Sequence, residues 1–202
     1  NLSVTGNGTV SLSFVNELPA VAGFDNFTGN FTTSAAGAGV TLLSRVRVAG
    51  NYVHSGGTIT LNTFNLEIEG VTNSQDGVAI FTTGQTGFLR FVNATGGPTS
   101  FTVITSHVTI PNLEVATTSG QAFNVLGVAD LVVSSTFLHT SGSIGLTTNL
   151  RVSGNTYTVN DKDLATIGGA AILFLAPTTG TLTVTVNDVV APTLSASYVV
   201  NN

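Results

Sequence analysis

The chain has 202 residues and a mass of 20.5 kDa, enough for one domain with a substantial core. Only 7% of its residues are charged, 5 Lys and Arg against 10 Asp and Glu for a formal net charge of -5, which excludes nucleic-acid binding by phosphate neutralisation. Its 42% hydrophobic residues exclude intrinsic disorder, and the absence of Cys excludes disulfides, thiolate metal sites and cysteine nucleophiles.

The composition is that of strands and turns: 33 Thr, 26 Val, 23 Gly, 18 Asn and 17 Ser, with few strong helix formers. Apolar and polar residues alternate in short stretches, as in Thr58-Ile59-Thr60-Leu61, Leu150-Arg151-Val152 and Val184-Thr185-Val186. No sustained i, i+3, i+4, i+7 apolar stripe opposes them, so the expected fold class is all-β. No apolar run approaches the roughly 20 residues that span a bilayer. The longest is residues 170–176, and no membrane insertion is expected. Met is absent, position 1 included, which predicts a start at a processed, truncated or renumbered end of something longer, and no basic, apolar signal segment opens the chain.

From the N-terminus, residues 1–40 contain Val10-Ser11-Leu12-Ser13-Phe14-Val15 and then Phe24, Phe27 and Phe31 in a Gly- and Asn-rich run, which reads as a cap or irregular first coils. Residues 41–176 repeat. Apolar-x-apolar triplets start at Val46, Leu66, Leu89, Val108, Leu131 and Leu150. A second series at Ile59, Ile80, Phe101, Phe123 and Ile144 keeps the same beat of about 21 residues. Related turns follow at Ala49-Gly50-Asn51-Tyr52, Glu69-Gly70-Val71 and Ser153-Gly154-Asn155-Thr156-Tyr157. A hairpin sandwich would place turns every 8 to 12 or so residues without such coil-to-coil likeness. Two series on one period predict a single-stranded parallel β-helix, a solenoid whose coils of about 21 residues each give two or three strands. At about 4.8 Å per coil, seven or so coils make a rod of roughly 35 Å. After Pro177, residues 181–190 alternate, Ala191-Pro192 breaks them, and residues 194–200 follow. Residues 177–202 are expected to cap the rod with irregular or antiparallel strands, contact another chain or begin a further domain.

The phrase Ser106-His107-Val108-Thr109-Ile110-Pro111-Asn112-Leu113, followed by Gly120-Gln121-Ala122-Phe123-Asn124-Val125, resembles coils of right-handed parallel β-helix proteins, the pectate-lyase-like superfamily that includes bacteriophage tailspikes. The low charge, the excess of Thr, Gly, Asn and Val, and Ala170-Ala171-Ile172-Leu173-Phe174-Leu175 resemble more closely the β-helical virion proteins of phages: tail fibres, spikes and capsid decorations. The likeness covers about residues 40 to 176 and rests on composition and phrase rather than on a diagnostic motif, so it carries over no functional residue. It implies a place on the virion surface, a homotrimer, and capsid or tail proteins and a host-surface glycan as partners.

Candidate chemistry is sparse. Glu67, Glu69 and Asp76 form the best carboxylate group for polysaccharide cleavage, which needs two carboxyls across one bond. Glu67, however, occupies the outward slot held by Arg47 one coil before and Arg90 one coil after, so an exposed Arg47, Glu67, Arg90 ladder worth about 0.2 to 1 kcal/mol per pair is preferred. His54, His107 and His139 show no HxH or HExxH spacing; only His107 and His139 could meet across coils, and no metal is expected. Asn160-Asp161-Lys162-Asp163 lacks the Gly and distal Glu of an EF-hand loop and reads as a polar turn. The Gly pairs at 56-57, 96-97 and 168-169 precede no GK[ST] and no helix, and there is no G-x-S-x-G elbow. Sequons at Asn7, Asn26, Asn30 and Asn93 are expected by chance in so Asn- and Thr-rich a chain. Twelve Phe against three Tyr and no Trp predict Phe stacks inside the coils rather than sugar platforms.

No catalytic, cofactor-binding or metal-ligating residue is therefore expected. The expected function is a non-enzymatic structural protein of a bacteriophage virion. The alternatives are a bacterial surface adhesin, or a secreted polysaccharide-acting enzyme using Glu67, Glu69 and Asp76.

Overall fold

A computed structural model describes residues 2–4, 8–12, 25–27, 29–93, 97–118, 121–160, 167–169, 171–187 and 198–200, with side chains described for 29–93, 97–118, 121–160, 171–185 and 187. The described residues contain no helix, and the strands pair in parallel, coil upon coil. The chain is a β-solenoid. Its first coils are β1 (Leu2–Val4), β2 (Gly8–Leu12) and β3 (Asp25–Phe27), then β4 (Phe31–Thr33), β5 (Ala38–Leu42) and β6 (Val46–Val48). Next come β7 (Tyr52–His54), β8 (Thr58–Thr60) and β9 (Leu66–Ile68), then β10 (Thr72–Gln75), β11 (Ile80–Phe81) and β12 (Leu89–Phe91). In the following two coils one bent strand covers two faces: β13 (Thr99–Val103) leads to β14 (Val108–Ala116), and β15 (Ala122–Gly127) to β16 (Leu131–Ser141). Separate strands return as β17 (Ser143–Leu146), β18 (Leu150–Val152), β19 (Thr156–Val159), β20 (Ile167–Gly169), β21 (Leu173–Leu175), β22 (Thr183–Val186) and β23 (Tyr198–Val200).

Three faces result. The first is the eight-stranded sheet β1-β4-β7-β10-β13-β15-β17-β20. The second stacks β2, β5, β8 and β11, continues against the first half of β14, and passes through the first half of β16 to β18, β21 and β23. The third runs from β3, β6, β9 and β12 through the second halves of β14 and β16 to β19 and β22. Period-two alternation points every other side chain into the bore, where Ile110, Val133 and Val152 stack in register and are fully buried. Phe31, Phe91, Phe101, Phe123 and Phe137 are buried there too, with the Phe31 and Tyr52 rings stacked at 5.8 Å and Phe101 and Phe123 at 6.4 Å.

The beat expected from sequence is present, but neither apolar series keeps to one face. Val46, Leu66 and Leu89 stack on the third face, where Leu89 then pairs with Leu113; Val108 belongs to the second face, beneath Leu131 and Leu150. Likewise Ile59 pairs with Phe81, which leaves Ile80 outward and 53% exposed, whereas Phe101, Phe123 and Ile144 lie on the first face. Loop length is the cause. Thr72 pairs with Ser100, 28 residues on, whereas Val53 pairs with Ser74 only 21 on, and a count of 21 then slips by about one face. Paired residues are roughly 23 apart, from 19 at Leu131 and Leu150 to 30 at Gly8 and Ala38.

The three related turns also divide. Gly50 and Gly70 stack on one corner, whereas Gly154 sits on another, over Ser135. Parallel pairing crosses the boundaries expected near residues 40 and 176, and the described terminal strands β1, β2, β3, β22 and β23 are parallel rather than antiparallel.

Candidate functional site

The outward slots of the third face hold the charge. Arg47, Glu67, Arg90 and Glu114 follow one another in register across β6, β9, β12 and β14. Glu67 Oε1 accepts from Arg45 Nη2 at 3.0 Å and from Arg90 Nη1 at 2.9 Å, Arg90 Nε lies 3.0 Å from Glu114 Oε2, and Arg47 pairs with Glu69. Thr140 Oγ1 continues the chain of contacts, donating to Glu114 Oε1 at 2.8 Å. Arg47, Glu67 and Arg90 stand in register as expected, but Glu67 bridges Arg90 and Arg45 while Arg47 turns to Glu69, and the ladder is not an exposed one: Glu67 is 1% exposed and Glu114 7%. Burial opposes the charge on Arg90, yet Glu114 and Glu67 outweigh that and hold its pKa above the ordinary arginine value.

Asp76 does not join Glu67 and Glu69. It follows β10, where Thr105 Oγ1 donates to its Oδ1 at 2.6 Å and Val78 N at 3.2 Å, and the Thr105 bond first, then the backbone, holds its pKa below the usual range. The carboxylates proposed from spacing thus divide between two strand ends, two of them held by guanidinium groups.

His107 and His139 do not meet. His107 is exposed, accepts from Asp130 N at 3.3 Å and lies 3.9 Å from Asp130 Oδ2; His139 is buried, with Nε2 2.6 Å from Gly142 O. Asp130 is engaged further by Asn149 Nδ2 at 2.9 Å and Arg151 Nη2 at 3.3 Å, and Arg151 lies over the Phe174 ring at 4.6 Å. His54 lies in the bore, where Tyr52 Oη is 2.9 Å from its Nδ1 and 3.1 Å from Gln75 Oε1, while Gln75 Nε2 donates to Ala79 O at 3.1 Å. Its Nε2 faces Gly57 O at 3.3 Å. Burial lowers the pKa of His54 to about 4 despite these bonds, and burial also raises Tyr52. Among the described residues no group of three His, Asp or Glu is placed to hold a metal ion.

Asn side chains do much of the coil-to-coil bonding. Asn30 Oδ1 accepts from Asn51 N at 2.9 Å, Asn51 Oδ1 from Thr72 N at 3.1 Å, and Asn73 Oδ1 from Tyr52 N at 2.8 Å. Asn62, at φ 57, donates to Leu42 O at 2.7 Å, and Asn112 to Gln85 O at 2.7 Å and Gly87 O at 3.1 Å. Two sequon asparagines are engaged in this way or nearby, Asn30 as above and Asn93 donating to Gly97 O at 2.5 Å. Asn7 and the Asn26 side chain lie outside the described residues, as do 161–163 of the acidic turn. Of the Gly pairs, Gly57 turns a corner at φ 88, and 168–169 form part of β20.

Spacing alone missed Arg45, Glu114 and Asp130. Leu113-Glu114-Val115 carries the same apolar-charged-apolar signature as Leu89-Arg90-Phe91, and would have extended the ladder had that stack been counted through Leu113. No protein-family model, curated protein or solved structure matches the chain.

Proposed function

We propose that the chain is a non-enzymatic structural protein of a bacteriophage virion: a rigid rod on the particle surface that decorates the capsid or forms part of a tail fibre or spike, as a homotrimer. The observation that carries this reading is how its scarce charge is placed. All four arginines pair with acids, joining Glu67, Glu69, Glu114 and Asp130 to neighbouring coils, alongside apolar columns that run through the bore. Such axial bonding makes local opening rare, which favours a stiff and protease-resistant element. A neutral Thr, Ser and Asn surface suits a rod built to be crowded on a particle.

Trimer contact has a candidate place. Val78, Ile80, Ile104 and Val128 are exposed near one corner of successive coils, between the first and second faces. Ile104 N bonds Gln75 O and Val128 N bonds Val103 O, so the last two occupy equivalent positions one coil apart.

Light scattering of the purified chain tests the assembly, with three times 20.5 kDa expected and Val78→Asp with Val128→Asp shifting it to monomer. A parent that stays at 20.5 kDa overturns the trimer. Polysaccharide cleavage that disappears in the Glu67→Ala, Glu69→Ala, Asp76→Ala variant would overturn the non-enzymatic reading in favour of a lyase or hydrolase.

A further inference from the structure

The corner between the second and third faces changes width along the rod. β14 turns it on Pro111 alone and β16 on residues 134–135. The next coil uses residues 153–155 between β18 and β19, and the one after uses 176–182 between β21 and β22. Each wider turn overhangs the one before, and a cleft of about 190 Å³ opens on the rod's flank. Its lining includes Ser134, Ser135, Thr136, Asn155, Thr156 and Thr179.

Backbone bonds fix the floor. Ser153 N and Gly154 N donate to Val133 O at 2.9 and 3.2 Å, Thr178 N to Ser153 O at 3.0 Å, and Thr183 N to Asn155 O at 2.9 Å. A Cβ on Gly154 would run into the Ser135 carbonyl, so only glycine lets these turns stack so closely. The Ser153 and Thr178 hydroxyls are tied to carbonyls of the coil before. By contrast, the five hydroxyls of Ser134, Ser135, Thr136, Thr156 and Thr179 and the Asn155 amide have no hydrogen-bond partner among the described residues.

Asn155 makes the point by comparison. In the turn at Gly50-Asn51 the asparagine amide accepts a backbone N–H of the next coil, Thr72 N at 3.1 Å. The like-sequenced Gly154-Asn155 turn meets a seven-residue overhang instead, and its amide stays available at the cleft. Hydroxyls and an amide both donate and accept, whereas the lining has neither a cation for phosphate or carboxylate nor a carboxylate for a metal ion, nor an aromatic ring. That donor set matches a neutral polyol, and the volume suits a single sugar ring.

We propose that this cleft binds one neutral sugar unit of a glycan. The inference rests on the rod reading only for the exposure of this flank; it needs neither the trimer nor the virion, so light scattering tests one and glycan binding the other. The test is the full chain on an array of neutral glucans, galactans, mannans and N-acetylhexosamine glycans beside uronate- and sialate-bearing ones. Retention of at least one neutral glycan is expected, weakened about tenfold or more in a Ser135→Ala, Asn155→Ala, Thr179→Val variant of unchanged Tm. Should that triple variant melt early, Asn155→Ala alone reads the same contact, since its amide bonds no neighbouring coil among the described residues. Failure to retain any neutral glycan, a preference for the anionic ones, or equal binding by the variant overturns the proposal.

Discussion

Between residues 29 and 93 each coil consists of three short strands with corner turns between them, and amide side chains such as Asn30, Asn51, Asn62 and Gln85 reach the backbone of the adjacent coil. From β14 to β19 the backbone ladder itself bends round one corner, and hydroxyls join the Asn112 and Asn149 amides in the side-chain bonding: Thr118 to Asn93 O at 2.7 Å, Thr147 to Val125 O at 3.1 Å and Thr148 to Ala129 O at 2.8 Å. The bore differs in the same sense. Tyr52, His54 and Gln75 form a bonded polar cluster in the earlier coils, whereas Phe123, Val125, Ile144 and Leu146 line the later ones beside the buried His139. One period can thus be held by side-chain clamps or by continuous strands. The clamped coils bury a hydrogen-bonded polar cluster of Tyr52, His54 and Gln75; the continuous ones rely more on apolar fit, around the buried His139.

The largest effect should come from breaking that fit. Val133 is fully buried between Ile110 and Val152, so Val133→Asp places an unpaired carboxylate in the bore and should cost more than about 4 kcal/mol, abolishing cooperative thermal unfolding by circular dichroism. Ile110→Asp and Val152→Asp should behave alike. A variant that melts with the parent would mean that the stack of these three positions is wrong.

The earlier coils should instead reveal themselves through acid. His54 has an ordinary pKa of 6.5 when unfolded and about 4 when folded, because burial between Tyr52, Gln75, Phe81 and the Gly57 carbonyl disfavours its charged form. Above pH 6.5 both states are neutral; below it only the unfolded chain takes the proton, so stability falls as pH drops and levels off below about 4. The full loss is roughly 3 kcal/mol. Urea unfolding from pH 7 to pH 4 or so should show that slope in the parent and lose most of it in His54→Phe, which keeps the Tyr52 to Gln75 bond. Parallel profiles for the two chains would place the acid sensitivity elsewhere.

The same contrast explains what the sequence discloses. Alternation in Val46-Arg47-Val48 and Leu150-Arg151-Val152 identifies strands and their inward residues because burial of every second side chain is a local property. The beat survives too, since each coil must return to the same three faces. Register does not survive a loop insertion: Leu89 and Val108 are one period apart and lie on different faces, because a one-face slip preserves every local signal. The Glu67 ladder was legible because Arg47, Glu67 and Arg90 sit in the apolar-charged-apolar triplets that the beat picks out, whereas Glu114, 24 residues after Arg90, sits in a triplet that the beat passes over for Val108. His54 looked like any other histidine, its burial depending on Phe81 and Gln75 from the next coil.

A middle-sized effect should separate charge from packing. Glu67→Gln removes the shared anion between Arg45 and Arg90, and because both guanidinium groups still reach solvent the cost should be about 1 to 2 kcal/mol rather than that of a sealed pair. Arg151→Ala, whose partner Asp130 keeps the Asn149 bond, should cost less than about 1 kcal/mol. Urea midpoints at neutral pH give both values. Equal losses would mean that the third-face ladder contributes no more than the pair in the later coils.

The smallest contrast is the most pointed, since it compares two asparagines in like-sequenced turns. Asn51 accepts the Thr72 N–H across coils at an exposed corner, so Asn51→Ala should lower stability by about 0.5 to 1 kcal/mol. Asn155 has no such bond, and Asn155→Ala should remain within about 0.5 kcal/mol of the parent. Amide hydrogen exchange sharpens the pair: loss of the Asn51 acceptor should speed exchange at Thr72, while removal of the Asn155 amide should leave Thr183, bonded to the Asn155 carbonyl, unchanged. If Asn155→Ala destabilises as much as Asn51→Ala, both turns clamp the rod and the difference between the two halves disappears at the corner where it matters for binding.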